Sequence, residues 1–393
     1  MGGTALIVHL LAFSTPHKSN VVNTVGSDDS VDNKNLKESA YRRFQNEFLF
    51  VPYGGSAPSE NGNTPLKMIS CDGKVPGTNL DLTHWTDNTT PDTLYADTST
   101  EIALNFAASR LLSSNDRDGN TYEEYDNALV LNNHYDTDGV LSVWSCLQPA
   151  LALKHRNLLI SAAESGDFGE WTSDEGLMLD CALESILYDF DDEASAYNRA
   201  LDILPSLLSA LSGEIEEGSE SRIESFWKEG LNEANDDWDA VQSGRVIVSK
   251  AKAGRMALVM EEERVSNNGQ RRLGSYALYR ALRDLGLAGG QPGAVTRVLR
   301  ATLDDNNDVG SKRWKYEYEM PGHGWVKRLV SRETVPHIDA DCLSSNLNEK
   351  FPKSKWASGG SSGLVSICHT IESSDVQPET LMNTLLDLDE GLR

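Results

Sequence analysis

Ala128-Leu129-Val130-Leu131-Asn132-Asn133-His134-Tyr135-Asp136-Thr137-Asp138-Gly139 is an apolar, strand-like run that ends in one imidazole and two carboxylates on alternate residues. In extended backbone, residues i, i+2 and i+4 share a face, so His134, Asp136 and Asp138 are expected to converge. Gly139 permits a turn, and Val140 to Leu153 reads as a helix that packs back on the sheet. A strand leading straight into a helix is the repeating unit of a layered α/β domain, whose ligand sites lie at the carboxyl ends of parallel strands. One nitrogen and two hard oxygens placed there suit Mn²⁺, Mg²⁺ or Fe²⁺ better than structural zinc.

Asp-x-Asp-Gly also occurs in plain acidic surface turns and inside calcium loops. A calcium hand aligned on Gly139 puts His134 first and Ser145 twelfth, where a bidentate Glu is required. Aligned on Gly119, the same template puts Ser114 first and Tyr125 last. Both fail. A plain turn leaves the preceding apolar strand and the following apolar helix unexplained.

His134, Asp136, Asp138, Gly139 and Ser142 resemble the His-x-Asp-x-Asp-Gly-x-x-Ser first motif of the DHH phosphoesterase superfamily. That resemblance implies one or two divalent metals and hydrolysis of a phosphoester or phosphoanhydride. The Asn-Asn-His-x-Asp-x-Asp-Gly run is also similar to the signature of an uncharacterised protein family. So are Leu82-Thr83-His84-Trp85, Asp97 to Ala103, and Ser165-Gly166-Asp167-Phe168, and this similarity covers most of the chain from about residue 48. Against the superfamily, Leu80-Asp81-Leu82-Thr83-His84-Trp85 stands where Asp-His-His is expected, which keeps His84 alone as a ligand. Asp97 to Ala103 resembles the small-hydroxyl helix start after that motif, and Ser161 to Asp167 a later Ala-x-x-Gly-Asp stretch. The His84 block precedes the His134 block, the reverse of the usual order, so the arrangement is either permuted or convergent. The ligand set implied is His134, Asp136, Asp138, Asp167 and His84, with His84 and Asp138 also serving catalysis. Asp72 and Asp97 are reserve ligands, because each ends a strand or opens a helix on the same edge.

At 393 residues the chain exceeds one ordinary core, so two domains are expected. We read residues 1–46 as a leader or flexible N-terminal segment and 47–215 as an α/β metal-binding domain. Residues 216–393 read as an α+β substrate domain with a Gly-rich loop. The fold class is α/β, a layered and mostly parallel sheet with flanking helices, plus that second α+β domain. No apolar run approaches the ~20 residues that span a bilayer, so no membrane partner is expected. A net charge of −25 argues against a nucleic-acid backbone as partner, because that binding relies on Lys and Arg. Lys and Arg number 12 in residues 1–200 and 23 in 201–393, so a divalent metal would relieve repulsion among carboxylates of the first half. Cys71, Cys146, Cys181, Cys342 and Cys368 are scattered with no C-x-x-C, which excludes a cysteine zinc site and suggests reduced thiols in a cytoplasmic setting. Residues 5–13 also fit the apolar part of a short targeting peptide or a buried strand, so an organellar or secreted address stays open.

Strands are expected over 48–53, 66–71, 79–83 and 128–133, with a short one at Leu158-Leu159-Ile160. Helices are expected near 99–112, where Ser and Thr supply N-cap chemistry, and over 140–153. From Glu175 to about Ala240 the period is helical, with a charged break at Glu214 to Glu220. Residues 244–262 read as extended, 272–286 as helical, 295–335 as strand-rich and Pro378 to Leu388 as a helix.

Three features of the second half bear on a substrate. Gly359-Gly360-Ser361-Ser362-Gly363 formally matches a nucleophile elbow, but no apolar strand precedes it and no acid–His pair follows in order. A backbone loop that cradles an anion fits better, beside the alternative of an ordinary tight turn. Arg313 and Lys315, in Gly310 to Lys315, form the densest cationic cluster near an aromatic; they read as an anion clamp or as a charged strand edge. His323, in Pro321-Gly322-His323-Gly324-Trp325, is placed to donate a proton to a leaving group, whereas His9, His17, His155, His337 and His369 read as structural or exposed. The function expected is hydrolysis of a small phosphorylated or anionic substrate by water activated on one or two Mn²⁺ or Mg²⁺ ions. A non-catalytic metal- or ligand-binding protein and a metal-dependent C–N hydrolase accommodate the same residues.

Overall fold

A computed structural model describes residues 46–59, 66–112, 122–214, 220–251, 255–261, 272–304, 312–360 and 363–389. Of the leader expected over 1–46, residues 1–45, with His9 and His17, lie outside them, as do Ser361 and Ser362. The chain divides into two compact units. Among the described residues, one comprises 46–166 and 172–228, the other 167–171 and 229–389.

In the first unit, β1 (Glu47–Phe50), β2 (Met68–Cys71), β3 (Leu80–Leu82) and β4 (Leu129–Asn132) form a parallel sheet in the order β1-β4-β2-β3. β2 and β3 are buried at every position, whereas the edge strand β1 alternates between exposed and half-buried. Continuous burial is what a parallel strand covered on both faces requires. Asn46, the last residue assigned to the leader, is already part of this unit. Its Nδ2 donates to the Cys146 carbonyl and its Oδ1 accepts from Ala128 N. Because all four strands run the same way, they end on one edge at Phe50, Cys71, Leu82 and Asn132. The next residues, among them Asp72, Thr83 and Asn133, are delivered there.

Among the described residues, the helices of this unit are α1 (Ser99–Leu112), α2 (Thr137–Leu147), α3 (Pro149–Lys154), α4 (Arg156–Phe168), α5 (Asp174–Tyr188) and α6 (Glu193–Leu211). α7 (Glu220–Gln242) runs on into the second unit. Tyr197 of α6 packs its ring 4.6 Å from Phe48 and 5.3 Å from Tyr135, and its hydroxyl accepts from Asn132 Nδ2 at 2.7 Å. Three local expectations are corrected. The helix after Gly139 begins earlier, at Thr137, and breaks before Pro149, which lacks an N–H and opens α3 instead. Leu158-Leu159-Ile160 is not a strand but part of α4; a three-residue apolar run does not distinguish a buried helix face from a strand. The apolar run ends in strand at Asn132, and Asp136 already caps α2, so the alternate-residue face does not extend to Asp138.

The second unit is built on a six-stranded mixed sheet in the order β5-β6-β7-β8-β10-β9. Its strands are β5 (Val246–Lys250), β6 (Met256–Glu261), β7 (Arg297–Leu303), β8 (Trp314–Glu319), β9 (Trp356–Ser358) and β10 (Ser366–Thr370). Only β6 and β7 pair in parallel. Alternation in β6 and β7 sends side chains into two cores. Leu258, Leu299, Tyr316 and Tyr318 join Leu343 and Leu347 of α9 (Ala340–Lys350) and Leu381 and Leu385 of α10 (Pro378–Leu388). Val259 and Val298 join Ala277, Leu278 and Ala281 of α8 (Ser275–Asp284). The bounds of α10 are those read from the sequence. α9 was not foreseen, although Asp339 caps it by accepting from Cys342 N. The strand-rich reading of 295–335 holds only to Glu319, because a 3-10 turn at Gly322–Trp325 follows and none of residues 320–335 is in a strand.

Arg297, at zero exposure, ties β7 to the end of α10. Its Nε lies 2.5 Å from Asp389 Oδ2, which also accepts from Tyr318 OH at 2.8 Å. Arg297→Ala strands a buried carboxylate and is expected to destabilise the protein by about 3–5 kcal/mol in denaturant unfolding. Lys353→Ala, which breaks an exposed pair with Asp375, is expected to cost less than about 1 kcal/mol.

Candidate metal centre

Asp72 follows β2 in the left-handed region, at φ 55°, and Gly73 succeeds it. A Cβ on Gly73 would run into the Asn133 side chain and come within 2.8 Å of His134 Nδ1, so the β2 and β4 turns meet only because residue 73 is glycine. This close approach brings Asp72 to His134. The Nε2 atom of His134 lies 2.8 Å from Asp72 Oδ2 and 3.0 Å from Asp136 Oδ2.

Each member of that trio is oriented from behind. The amide oxygen of Asn133 only accepts, so the 2.9 Å contact fixes the proton on His134 Nδ1 and aims Nε2 at the carboxylates. Asp136 is the N-cap of α2: its Oδ1 accepts from Gly139 N at 2.7 Å, leaving Oδ2 turned to the imidazole. Asp72 Oδ1 accepts from Ser99 Oγ at 2.8 Å and from Trp85 Nε1 at 3.2 Å. Asp72 Oδ2 is buried, and no donor among the described residues makes a well-formed hydrogen bond to it. A buried carboxylate oxygen in that state is destabilising unless something cationic meets it. The donor set, with a buried Asp72 oxygen faced by the His134 imidazole but without a well-formed hydrogen bond, fits a hard divalent cation.

A second trio shares Asp72. His84 follows β3, and its Nδ1 donates to the Asp97 carbonyl at 2.6 Å, so Nε2 faces Asp72 Oδ1 at 3.7 Å and Asp138 Oδ2 at 3.8 Å. Asp138 does not stand beside His134. From the first turn of α2 its carboxylate accepts backbone N–H groups of Ser99 and Thr100, both at 2.7 Å, at the start of α1. Asp72, His134 and Asp136 form one group with ligand atoms within 4.8 Å of one another, and Asp72, His84 and Asp138 form the other. They differ in access. The His134 and Asp136 side chains are 26% and 32% exposed, whereas those of His84 and Asp138 are at zero.

Electrostatics follow the packing. Burial alone would lower the His134 pKa, but the Asp136 and Asp72 carboxylates override it and raise it well above the ordinary imidazole value. Burial would raise the Asp72 pKa, but His134, with His84 and the Ser99 hydroxyl, outweighs it, so this carboxyl titrates below its usual range. Asp138 is pushed up to about 6, by burial first and by the Asp72 charge second. Glu184 of α5, half-buried with Asp180 and Asp136 as charged neighbours, is pushed up to about 8, again chiefly by burial.

The sequence-derived ligands His134, Asp136, Asp138 and His84 thus fall in one region, with the reserve residue Asp72 at its hub. Asp97 contributes its carbonyl to His84. Asp167 is in the last turn of α4, belongs to the second unit and joins neither trio. His323 also belongs to the second unit, where its Nδ1 pairs at 3.0 Å with Glu170, which in turn takes a two-pronged contact from Arg332. Arg313 is half-buried and donates to the Ser373 carbonyl, while Lys315 is exposed on β8. In the Gly-rich loop the Gly359 carbonyl accepts from His369 Nδ1 at 2.6 Å. A Cβ on Gly360 would lie 3.0 Å from Ser366 Oγ and 3.5 Å from Glu317 Oε1, a carboxylate rather than a cationic neighbour. Ser99, Trp85 and Asn133 went unrecognised, since each acts on a partner distant in sequence or by a backbone-set angle.

The chain belongs to a family of unknown function, DUF6687, whose model matches residues 46–381. No curated protein matches it.

The raised Asp138 pKa has a definite sign in stability. The folded chain holds this proton more tightly than the unfolded chain, so between the ordinary carboxylate range near ~4 and about 6 stability falls as pH rises. Asp138→Asn cannot titrate. In chelator-treated protein, the stability difference between wild type and Asp138→Asn should change by roughly 2–3 kcal/mol across that window, read by urea unfolding at each pH.

Proposed function

We propose that this protein is a metal-dependent hydrolase that cleaves a phosphoester or phosphoanhydride of a small substrate with a water activated by Mn²⁺ or Mg²⁺. The observation that carries the reading is Asp72 Oδ2, a buried carboxylate oxygen with no well-formed hydrogen bond, 2.8 Å from His134 Nε2. Asp136 Oδ2 completes the trio from the other side. The resemblance of His134 to Ser142 to the first DHH motif supplies the reaction class. A divalent ion, when bound, supplies Lewis acidity and lowers the pKa of a coordinated water.

The residues themselves do the remaining work. Asn133 holds the tautomer of His134, Gly139 N holds Asp136, and Ser99 with Trp85 holds Asp72, so three donors are aimed before any ligand arrives. The partial exposure of His134 and Asp136 leaves this trio open to an incoming substrate. The described cysteines are free thiols, which suits a reducing, cytoplasmic setting. Among the described residues no helix is long and apolar enough to cross a membrane.

A non-catalytic metal-binding role is the second reading, favoured by Trp85. It stands where the resemblance calls for a further imidazole, and it donates a proton to Asp72 rather than offering a lone pair.

The test is turnover of p-nitrophenyl phosphate, its bis-ester and pyrophosphate by purified full-length protein, with and without Mn²⁺ or Mg²⁺. Hydrolysis that is lost with chelator and in His134→Ala supports the enzyme. Metal binding without turnover on any of them supports the second reading. Asn133→Ala should weaken metal affinity roughly 10–100-fold while the fold persists, checked by calorimetric titration and circular dichroism.

A further inference from the structure

Two trios that share one aspartate suggest a two-ion centre, but the hydrogen bonds around Asp72 divide them. Resting on the metal reading above, we infer that the site holds a single divalent ion, at Asp72 Oδ2, His134 Nε2 and Asp136 Oδ2, and that the Asp72–His84–Asp138 side is a strut with no ion, held through His84 Nδ1, Asp72 Oδ1 and the Asp138 oxygens.

The first ground is spacing. An octahedral hard ion with bonds of about 2.1 Å sets adjacent ligand atoms about 3 Å apart. Around His134 Nε2 the two oxygens stand at 2.8 and 3.0 Å, so both edges that meet at the imidazole nitrogen already have the octahedral spacing. The opposite face would be left for water and substrate oxygens. On the other side the corresponding separations are 3.7 and 3.8 Å.

The second ground is lone pairs. A carboxylate oxygen offers two in its plane. Ser99 Oγ accepts from His84 N, so its own proton is the one given to Asp72 Oδ1. Trp85 Nε1–H takes the second lone pair of that same oxygen. Asp72 Oδ1 is therefore committed before it can bridge. Asp138 Oδ1 and Oδ2 each hold one backbone N–H at the start of α1, and loosening either would uncap that helix. An ion there would be left with His84 and part of Asp138, too few ligands for a hard cation in a pocket with zero exposure.

Trp85 and Ser99 thus set the stoichiometry. They occupy the oxygen that would otherwise be shared between two metals.

The experiment titrates chelator-stripped full-length protein with MnCl₂ alone, counting bound Mn²⁺ by the loss of the free-ion electron paramagnetic resonance signal and by calorimetry. One equivalent is expected in wild type. One is also expected in His84→Gln, and none in His134→Ala or Asp136→Asn. The asparagine retains capping ability at the start of α2, so loss of metal in Asp136→Asn does not reduce to loss of fold. Two equivalents in wild type, or loss of the ion in His84→Gln with retention in Asp136→Asn, would overturn the single-ion assignment while leaving a metal protein. No bound Mn²⁺ in wild type would instead sink the metal reading itself, and this inference with it.

Discussion

The Asp138 carboxylate is the constraint from which the site is built. It leaves the first turn of α2 and accepts the Ser99 and Thr100 amides that open α1, while Thr100 Oγ1 returns a hydrogen bond to the Asp138 carbonyl. Those amides are among the donors a helix cannot satisfy internally, and they carry the positive end of its dipole. A carboxylate at zero exposure would otherwise be costly to bury. Once α1 is fixed in this way, the Ser99 hydroxyl falls on Asp72, and the Asp97 carbonyl, two residues earlier, falls on His84 Nδ1. One clamp between two helix starts therefore orients a carboxylate from β2 and an imidazole from β3, neither of which touches it in sequence.

That dependence explains which parts of the site are legible in the sequence. Runs of buried residues and Ser/Thr helix starts are local signals, so the strands near His84 and His134 and both ends of α1 and α10 follow from composition and spacing. All-parallel strands then place His84, Asp72 and His134 on one edge without further information. What local pattern does not carry is the switch of backbone state after Asn132. The period of two holds only while the chain is extended, and the Asp136 cap ends it, so Asp136 faces His134 while Asp138 faces α1. The hub role of Asp72 depends on a left-handed backbone angle and a glycine at residue 73, both set by the approach of a turn some 60 residues away. His323 shows the same limit in the second unit, because its partners Glu170 and Arg332 are made neighbours only by the fold.

The acidity of the chain takes a specific form here. Three carboxylates and two imidazoles meet at the edge of a buried sheet, in a protein of net charge −25. Without a cation, Asp72 and Asp136 hold the His134 proton well past the range in which imidazole normally releases it, so the trio neutralises part of its own charge. Ser99 and Trp85 fill Asp72 Oδ1, and two backbone amides each take one lone pair of an Asp138 oxygen. The helix starts and strand ends around the site are thereby held by the protein's own donors. A structural zinc module, by contrast, depends on its ion to fold at all.

A site already closed by its own hydrogen bonds can be entered only where those bonds are fewest. At Asp138 every oxygen is engaged by an amide, and at Asp72 Oδ1 by a hydroxyl and an indole. At Asp72 Oδ2 only the exchangeable proton of His134 stands nearby, and this is also the side where exposure rises from zero to about a quarter. Solvent access and the Asp72 oxygen without a well-formed hydrogen bond thus coincide at the outer trio. A ligand that arrives there displaces one proton and breaks no bond that holds the helices, so binding and folding are separable in this unit.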